Sequence, residues 1–137
     1  MAQLVDSSVF IGLERSGRAP STFAALSPTE PMAIASVTAS ELLTGIYRAN
    51  TVDRRTRREN FVEAVLAAIP VLSFDLHVAR VHARLWARLA AAGQLIGDYD
   101  LIIAATALAH GYDLLTDNLR HFERVSGLTV RRPTWPQ

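Results

Sequence analysis

Several short runs of this chain are apolar at every position instead of at alternate ones, and each adjoins a stretch of helical periodicity. Gln3-Leu4-Val5 leads through Asp6-Ser7-Ser8, which reads as a helix N-cap, into a helix over 9–15. After a loop rich in Gly, Pro and Ser, Met32-Ala33-Ile34-Ala35 leads through Ser36 and Thr38 into the periodic stretch beginning Glu41-Leu42-Leu43. Phe61, Val62, Val65, Leu66 and Ile69 place a helix over 54–69, which Pro70 ends before the third run, Val71-Leu72. A helix over about 76–92 follows, and Gly93 and Gly97 then break the chain. Asp98-Tyr99-Asp100 opens another helix through Leu108, and Gly111 closes it before a strand over 113–116. The last strand is expected over 128–131. A half-exposed strand alternates, whereas a run apolar throughout must bury both faces, as in a parallel sheet covered on each side. Right-handed crossovers through the intervening helices then predict an α/β fold, a three-layer α/β/α sandwich with a central parallel sheet. A chain of 137 residues, half of them hydrophobic, suits one domain over 1–137.

Composition removes several chemistries. The chain has no cysteine, so disulfides, thiolate zinc sites and cysteine nucleophiles are excluded, and a reducing compartment suits it. All 14 basic residues are arginine. Without lysine there is no Walker A loop, no Schiff-base amine and no lysine of a phosphate-receiving signalling domain. The start, Met1-Ala2-Gln3-Leu4-Val5-Asp6, has neither a basic nor a long apolar leader region, and the longest apolar run, around 101–109, is far short of a membrane span. The expectation is a cytoplasmic protein with no membrane partner. A net charge of +1 means that any nucleic-acid contact must come from local clustering of arginine.

Open parallel sheets bind ligands beyond the carboxyl ends of their strands, where the strand order reverses. The acids at those ends, and at the helix starts beyond them, are Asp6, Glu41, Asp98, Asp100 and Asp117. Each has a plainer reading. Asp6 could cap a helix, Thr38-Ala39-Ser40-Glu41 has the form of a capping box, Asp98 and Asp100 suit the positive end of a helix dipole, and Asp117 suits a turn. Their equivalent places in the topology favour convergence on one rim. Carboxylates facing a phosphodiester make sense with a hard divalent cation such as Mg²⁺ between them.

Four segments carry a family likeness: Leu4-Val5-Asp6-Ser7-Ser8-Val9, Glu41-Leu42-Leu43-Thr44-Gly45, the stretch from Ile96-Gly97-Asp98-Tyr99-Asp100 through Leu101-Ile102-Ile103-Ala104-Ala105-Thr106-Ala107-Leu108, and Leu114-Leu115-Thr116-Asp117-Asn118. In this order and spacing they resemble the successive motifs of PIN-domain proteins, especially the VapC toxins of bacterial toxin–antitoxin pairs, over essentially the whole chain. The resemblance implies a PIN-like fold and a Mg²⁺-dependent endoribonuclease in which Mn²⁺ can substitute. Residue by residue, the family's site falls on Asp6, Glu41, Asp100 and Asn118, so Asp100 is preferred to Asp98. The chain departs from the pattern at the last position, where Asn118 holds the usual place and the acid stands at Asp117. On this reading Asp6 and Asp100 hold the metal, and Glu41 and Asp117 complete the acidic pocket and orient water. Ser7, Asp98, Thr116 and Asn118 support them from outside.

The resemblance also implies a cognate antitoxin, a homodimer and an RNA substrate of the tRNA or rRNA class. Two alternatives stand beside it. One is a PIN nuclease of RNA processing outside any toxin pair, and the other is a catalytically silent module binding RNA or protein, for which the displaced acid at Asp117 speaks. Arg54, Arg55, Arg57 and Arg58 form the densest basic cluster, either a phosphate-contacting patch or a solvated helix start. Arg80, Arg84 and Arg88 read as a solvent face. The four histidines have no spacing that joins them to the acidic rim and read as surface or helix-end residues. Trp86 is expected in core or interface, and Trp135 to dock the C-terminal tail. Ile46, Tyr47, Phe61 and Leu85 are apolar surface for a dimer or for the core.

Overall fold

The computed structural model describes residues 2–135. Its strands are β1 (Gln3–Val5), β2 (Met32–Ala35), β3 (Val71–Leu72), β4 (Asp113–Leu115) and β5 (Val130–Arg131). The helices are α1 (Ser7–Arg15), α2 (Ser36–Tyr47), α3 (Val52–Ala68), α4 (Leu76–Ala91), α5 (Asp98–His110) and α6 (Leu119–Phe122). The five strands form one sheet in the order β3-β2-β1-β4-β5, and every pairing is parallel. The chain steps from β1 outward to β2 on one side and to β4 on the other. The reversal of strand order therefore falls beside β1, and it opens a crevice at the carboxyl ends of β1, β2 and β4.

Successive residues in the central strands point to opposite faces, and both faces are filled. Leu4, Ala33, Ala35 and Leu114 pack with Val78, Leu85 and Leu89 of α4, with Leu101, Ile103 and Ala104 of α5, and with Phe122. Val5, Ile34 and Leu115 pack with Val9, Phe10 and Leu13 of α1, Leu42 and Ile46 of α2, and Phe61, Val62 and Val65 of α3. These two cores are the reason the strands do not alternate, and they give the three layers that the sequence predicts.

Local chemistry explains where the helices begin and end. Thr51 caps α3 by accepting the Arg54 N–H at 3.1 Å, and Asp75 caps α4 by accepting the Val78 N–H at 2.9 Å. Gly111, at φ 68°, adopts the left-handed conformation that closes α5 and turns the chain into β4.

The structure differs from the sequence reading at several points. The segment read as a loop contains a 3-10 turn, Pro20–Leu26, which Pro20 starts and which Phe23 anchors by stacking on Phe10 with ring centroids 4.7 Å apart. The capping box does not form. Strand β2 passes straight into α2 at Ser36, so Thr38 is already inside the helix and fully buried, and Glu41 lies in the second turn. The strand expected from 128 begins at Val130, and α6 was not foreseen. Ile46, Phe61 and Leu85 belong to the core, whereas Tyr47 and Trp86 are exposed, so Trp86 does not fill the core. Trp135 does dock, packing against the core beside α1 with the Arg18 guanidinium 5.2 Å from its ring centre. Among the described residues no helix is long and apolar enough to cross a membrane.

Candidate active site

Asp6 sits immediately after β1, and its side chain is buried. It does not cap α1. Instead its Oδ2 accepts two hydroxyl hydrogen bonds, from Ser8 Oγ and from Thr116 Oγ1, each at 2.8 Å. Thr116 follows β4, the neighbouring strand, and register alone brings the two together: Val5 pairs with Leu115, so the next residue on each strand meets the other. The two hydroxyls lie 3.2 Å apart and also order the turn beyond β4. Ser8 Oγ accepts the Asp117 N–H, and Thr116 Oγ1 accepts the Asn118 N–H, both at 3.0 Å. The sequence reading gave Thr116 a place at the site but read Ser8 only as part of the helix cap. Its signal was available, since a hydroxyl two residues after a strand-end acid on a helix's first turn can reach back to it.

Glu41 points into the same crevice from α2. Its Oε2 lies 3.5 Å from Ser7 Oγ, and its Oε1 is buried with no hydrogen-bond partner among the described residues. Burial first, and then the charges of Asp6 and Asp100, push the Glu41 carboxyl up to about 7, against which the Ser7 hydroxyl works weakly. Asp100, in the first turn of α5, is also raised by burial. The nearby His121 opposes that rise and Asp6 adds to it. Asp117 is raised by partial desolvation and by Asp6, with Arg132 opposing. Asp6 is thus the hub, the one carboxylate that raises the other three.

At the turn, Asp117 feels the charge of Asp6, an effect that a neutral Asn118 cannot show, and the Asn118 side chain makes no hydrogen bond among the described residues. A Cβ on Gly12 would stand 3.4 Å from Asp117 Oδ2, so a glycine on α1 leaves room for this side chain. Asp98 is exposed and takes no part in the coupling.

His121 corrects the reading of the histidines. Its Nδ1 lies 2.8 Å from Asp100 Oδ2, because the short α6 folds back against α5. No sequence spacing could have shown this. The arginine cluster is divided as well. Arg58 donates to Glu14 Oε1 at 3.1 Å and to the Gly45 carbonyl at 2.9 Å, tying α3 to α1 and α2, and Arg54 donates to Asn50 Oδ1. Arg80, Arg84 and Arg88 lie exposed, as predicted.

A cleft of about 430 Å³ adjoins the crevice, lined by Ser7, Glu41, Tyr99, Phe10, Leu42 and Phe61 among others, and of the four acids Glu41 is the one that lines it. Among the described residues no three His, Asp or Glu side chains already surround one point as metal ligands. The donor set nevertheless fits Mg²⁺, which takes hard oxygens, is held directly by one or two carboxylates and keeps several waters. The orphaned Glu41 Oε1, together with three carboxyls raised by burial and by the charge of Asp6, marks carboxylates that a divalent cation would stabilise in their charged form.

A parallel sheet with acids gathered at its switch point defines an acidic-cleft α/β/α domain. A family model described as the PIN domain matches residues 4–128, and the chain belongs to that family. It is 33% identical over 130 residues, 95% of each chain, to Ribonuclease VapC1 of Rickettsia felis. It is also 33% identical over 102 residues, 74% of this chain and 75% of the other, to the tRNA(fMet)-specific endonuclease VapC of Salmonella typhimurium. The DNA-bound VapBC structure from Salmonella typhimurium matches the fold with a TM-score of 0.84 at 27% identity, covering 96% of this chain and 98% of that one. The likeness to VapC read from the motifs is borne out.

Proposed function

We propose that this chain is the toxin of a toxin–antitoxin pair, an endoribonuclease that requires Mg²⁺ and accepts Mn²⁺. The observation that carries this reading is the gathering of Glu41, Asp100 and Asp117 around the charge of a buried Asp6, with Glu41 also lining a cleft open to a ligand. The relatives named as VapC ribonucleases, one of them a tRNA endonuclease, support it.

Asp6 and Asp100 would hold the ion. When bound, it would neutralise phosphodiester charge and lower the pKa of an attacking water. The protein supplies the rest. Ser8 and Thr116 hold Asp6 by one oxygen, and His121 holds Asp100. Glu41, whose carboxyl lines the cleft, would orient water and take its proton, and Asp117 completes the pocket. Attack by water on phosphorus, with the bond to the 3′ oxygen breaking, leaves a 3′-hydroxyl and a 5′-phosphate. The substrate is a structured RNA of the tRNA or rRNA class. The partners are a cognate antitoxin, a kind of assembly suggested by the VapBC complexes among the structural neighbours, and a second copy of the chain, working in the cytoplasm.

The test is cleavage of total cellular RNA by antitoxin-free protein with Mg²⁺, beside EDTA and Asp100→Asn controls, with cut ends mapped by sequencing. Discrete cuts that vanish in both controls are expected. A folded protein that cuts nothing, or cuts equally in EDTA, would overturn the reading. Asp98→Asn, at an exposed position outside the coupled group, should change the cleavage rate less than about threefold, as surface substitutions generally do little. A loss as large as that of Asp100→Asn would make Asp98 a member of the site.

A further inference from the structure

One segment of the chain touches both of the aspartates assigned to the ion. Thr116, directly after β4, donates to Asp6, and further along the same segment His121 brings its Nδ1 to 2.8 Å from Asp100 Oδ2. The stretch between them is tied down. Thr116 Oγ1 accepts the Asn118 N–H at 3.0 Å, the Asn118 carbonyl accepts the His121 N–H at 3.1 Å, and the neighbouring Phe122 is fully buried in the core. The backbone therefore fixes where the imidazole stands, although the ring itself is half exposed. The other histidines are engaged elsewhere: His77 with the Ala109 carbonyl, His82 with Phe74 and His110 with Tyr112. Among the described residues, His121 is the one whose ring meets the acidic group.

An imidazole nitrogen at such a place can do more than hold a carboxylate. Small divalent cations take nitrogen and oxygen ligands at about 2.0–2.2 Å, which sets neighbouring ligands about 3 Å apart. His121 Nδ1 and Asp100 Oδ2 stand close to that spacing. We propose that His121 is itself a ligand of the ion that Asp6 and Asp100 hold, and that it tilts the site from Mg²⁺ toward first-row transition ions. The inference rests on the metal-dependent reading above and deepens it from the presence of a cation to its kind. Carboxylates and water suit Mg²⁺ and Mn²⁺ alike, whereas imidazole favours the transition ions and does little for Mg²⁺, which keeps to oxygen. A site of carboxylates alone separates these cations weakly, and one nitrogen widens the gap. Mg²⁺ still binds through the carboxylates.

The test loads the whole chain, free of any partner, with Mn²⁺ and records electron spin-echo envelope modulation. Direct coupling of the ion to a nitrogen nucleus is expected in wild type. It is expected to vanish in His121→Asn, which offers Asp100 an amide N–H but brings no ring nitrogen. Asp6→Asn, which keeps every histidine, should lose the ion and the signal with it. Calorimetric titration with Co²⁺ and with Mg²⁺ supplies the second readout. His121→Asn should weaken Co²⁺ binding about tenfold and Mg²⁺ binding less than about threefold, so the preference narrows. Thermal melts without added metal verify that each variant is folded, and the wild-type spectrum carries the test where a variant is not. Bound Mn²⁺ without nitrogen coupling, or equal losses for Co²⁺ and Mg²⁺, would reduce His121 to a residue that positions Asp100 and would overturn the proposal. RNA cleavage in Mg²⁺ would then keep the ribonuclease reading standing. If no divalent cation binds the folded chain, both fall together.

Discussion

Asp6→Asn is expected to reduce RNA cleavage by at least about a hundredfold while leaving the protein folded. The two hydroxyls that meet Asp6 Oδ2 are donors, and an asparagine carbonyl can accept both, so the link between β1 and the turn after β4 can persist. What is lost is the negative charge that Glu41, Asp100 and Asp117 each feel. Two readouts separate this from unfolding. The metal-free variant should melt no lower than wild type at pH 8, because a repulsive charge has gone. The gain in melting temperature that wild type shows on adding Mg²⁺, which follows from binding to the folded state alone, should disappear. Cleavage that persists at near wild-type rate with the Mg²⁺ shift intact would remove Asp6 from the site. Asp100→Asn should behave in the same way, since asparagine can still accept from His121.

Glu41→Gln should make the metal-free protein more stable at pH 8 and inactive as a nuclease, a trade of function against stability. The carboxyl is pushed up to about 7 in the folded chain from an ordinary 4.5. The folded state therefore holds a proton that the unfolded state has already released. The stability associated with that proton is fully present below about 4.5 and is lost as pH rises through about 7. Asp100 and Asp117 are shifted the same way and add to the trend. A shift of this size corresponds to a few kcal/mol for a group sealed from water. Glu41 is only half-buried, so solvent screening leaves about 1–2 kcal/mol, or on the order of 5 °C in melting temperature. Melts of metal-free wild type from pH 5 to pH 8 should thus fall, and those of Glu41→Gln should fall much less. A flat wild-type profile would show that neither burial nor the neighbouring carboxylates disfavour the charged form of Glu41. Added Mg²⁺ should flatten the wild-type profile by stabilising the charged carboxylates.

The fold and most of the site were legible because they follow from local pattern. Apolar runs that bury both faces predict the parallel sheet, and acids directly after those runs predict a carboxylate edge. The sequence was misleading where one local motif has two physical meanings. Thr38-Ala39-Ser40-Glu41 has the form of a capping box, but the direct passage of β2 into α2 puts Thr38 inside the helix and frees Glu41 for the crevice. It was silent where distant segments meet. His121 reaches Asp100 only because α6 folds back on α5, and Arg58 is withdrawn from the arginine cluster by Glu14, which comes from α1.

Periodicity and strand-end placement of acids, which depend only on neighbours along the chain, thus determined the α/β/α class, the edge of the sheet that carries chemistry, and Asp6, Glu41, Asp98, Asp100 and Asp117 as its candidates, among which the family resemblance preferred Asp100 to Asp98. The tertiary structure alone decided that Ser8 and Thr116 share the buried carboxylate, that His121 reaches Asp100, and that Arg58 is tied to Glu14. Those outcomes depend on distances between segments far apart in sequence, set by the strand order β3-β2-β1-β4-β5 and by the packing of α1, α2 and α3 on one face, which a linear pattern does not contain.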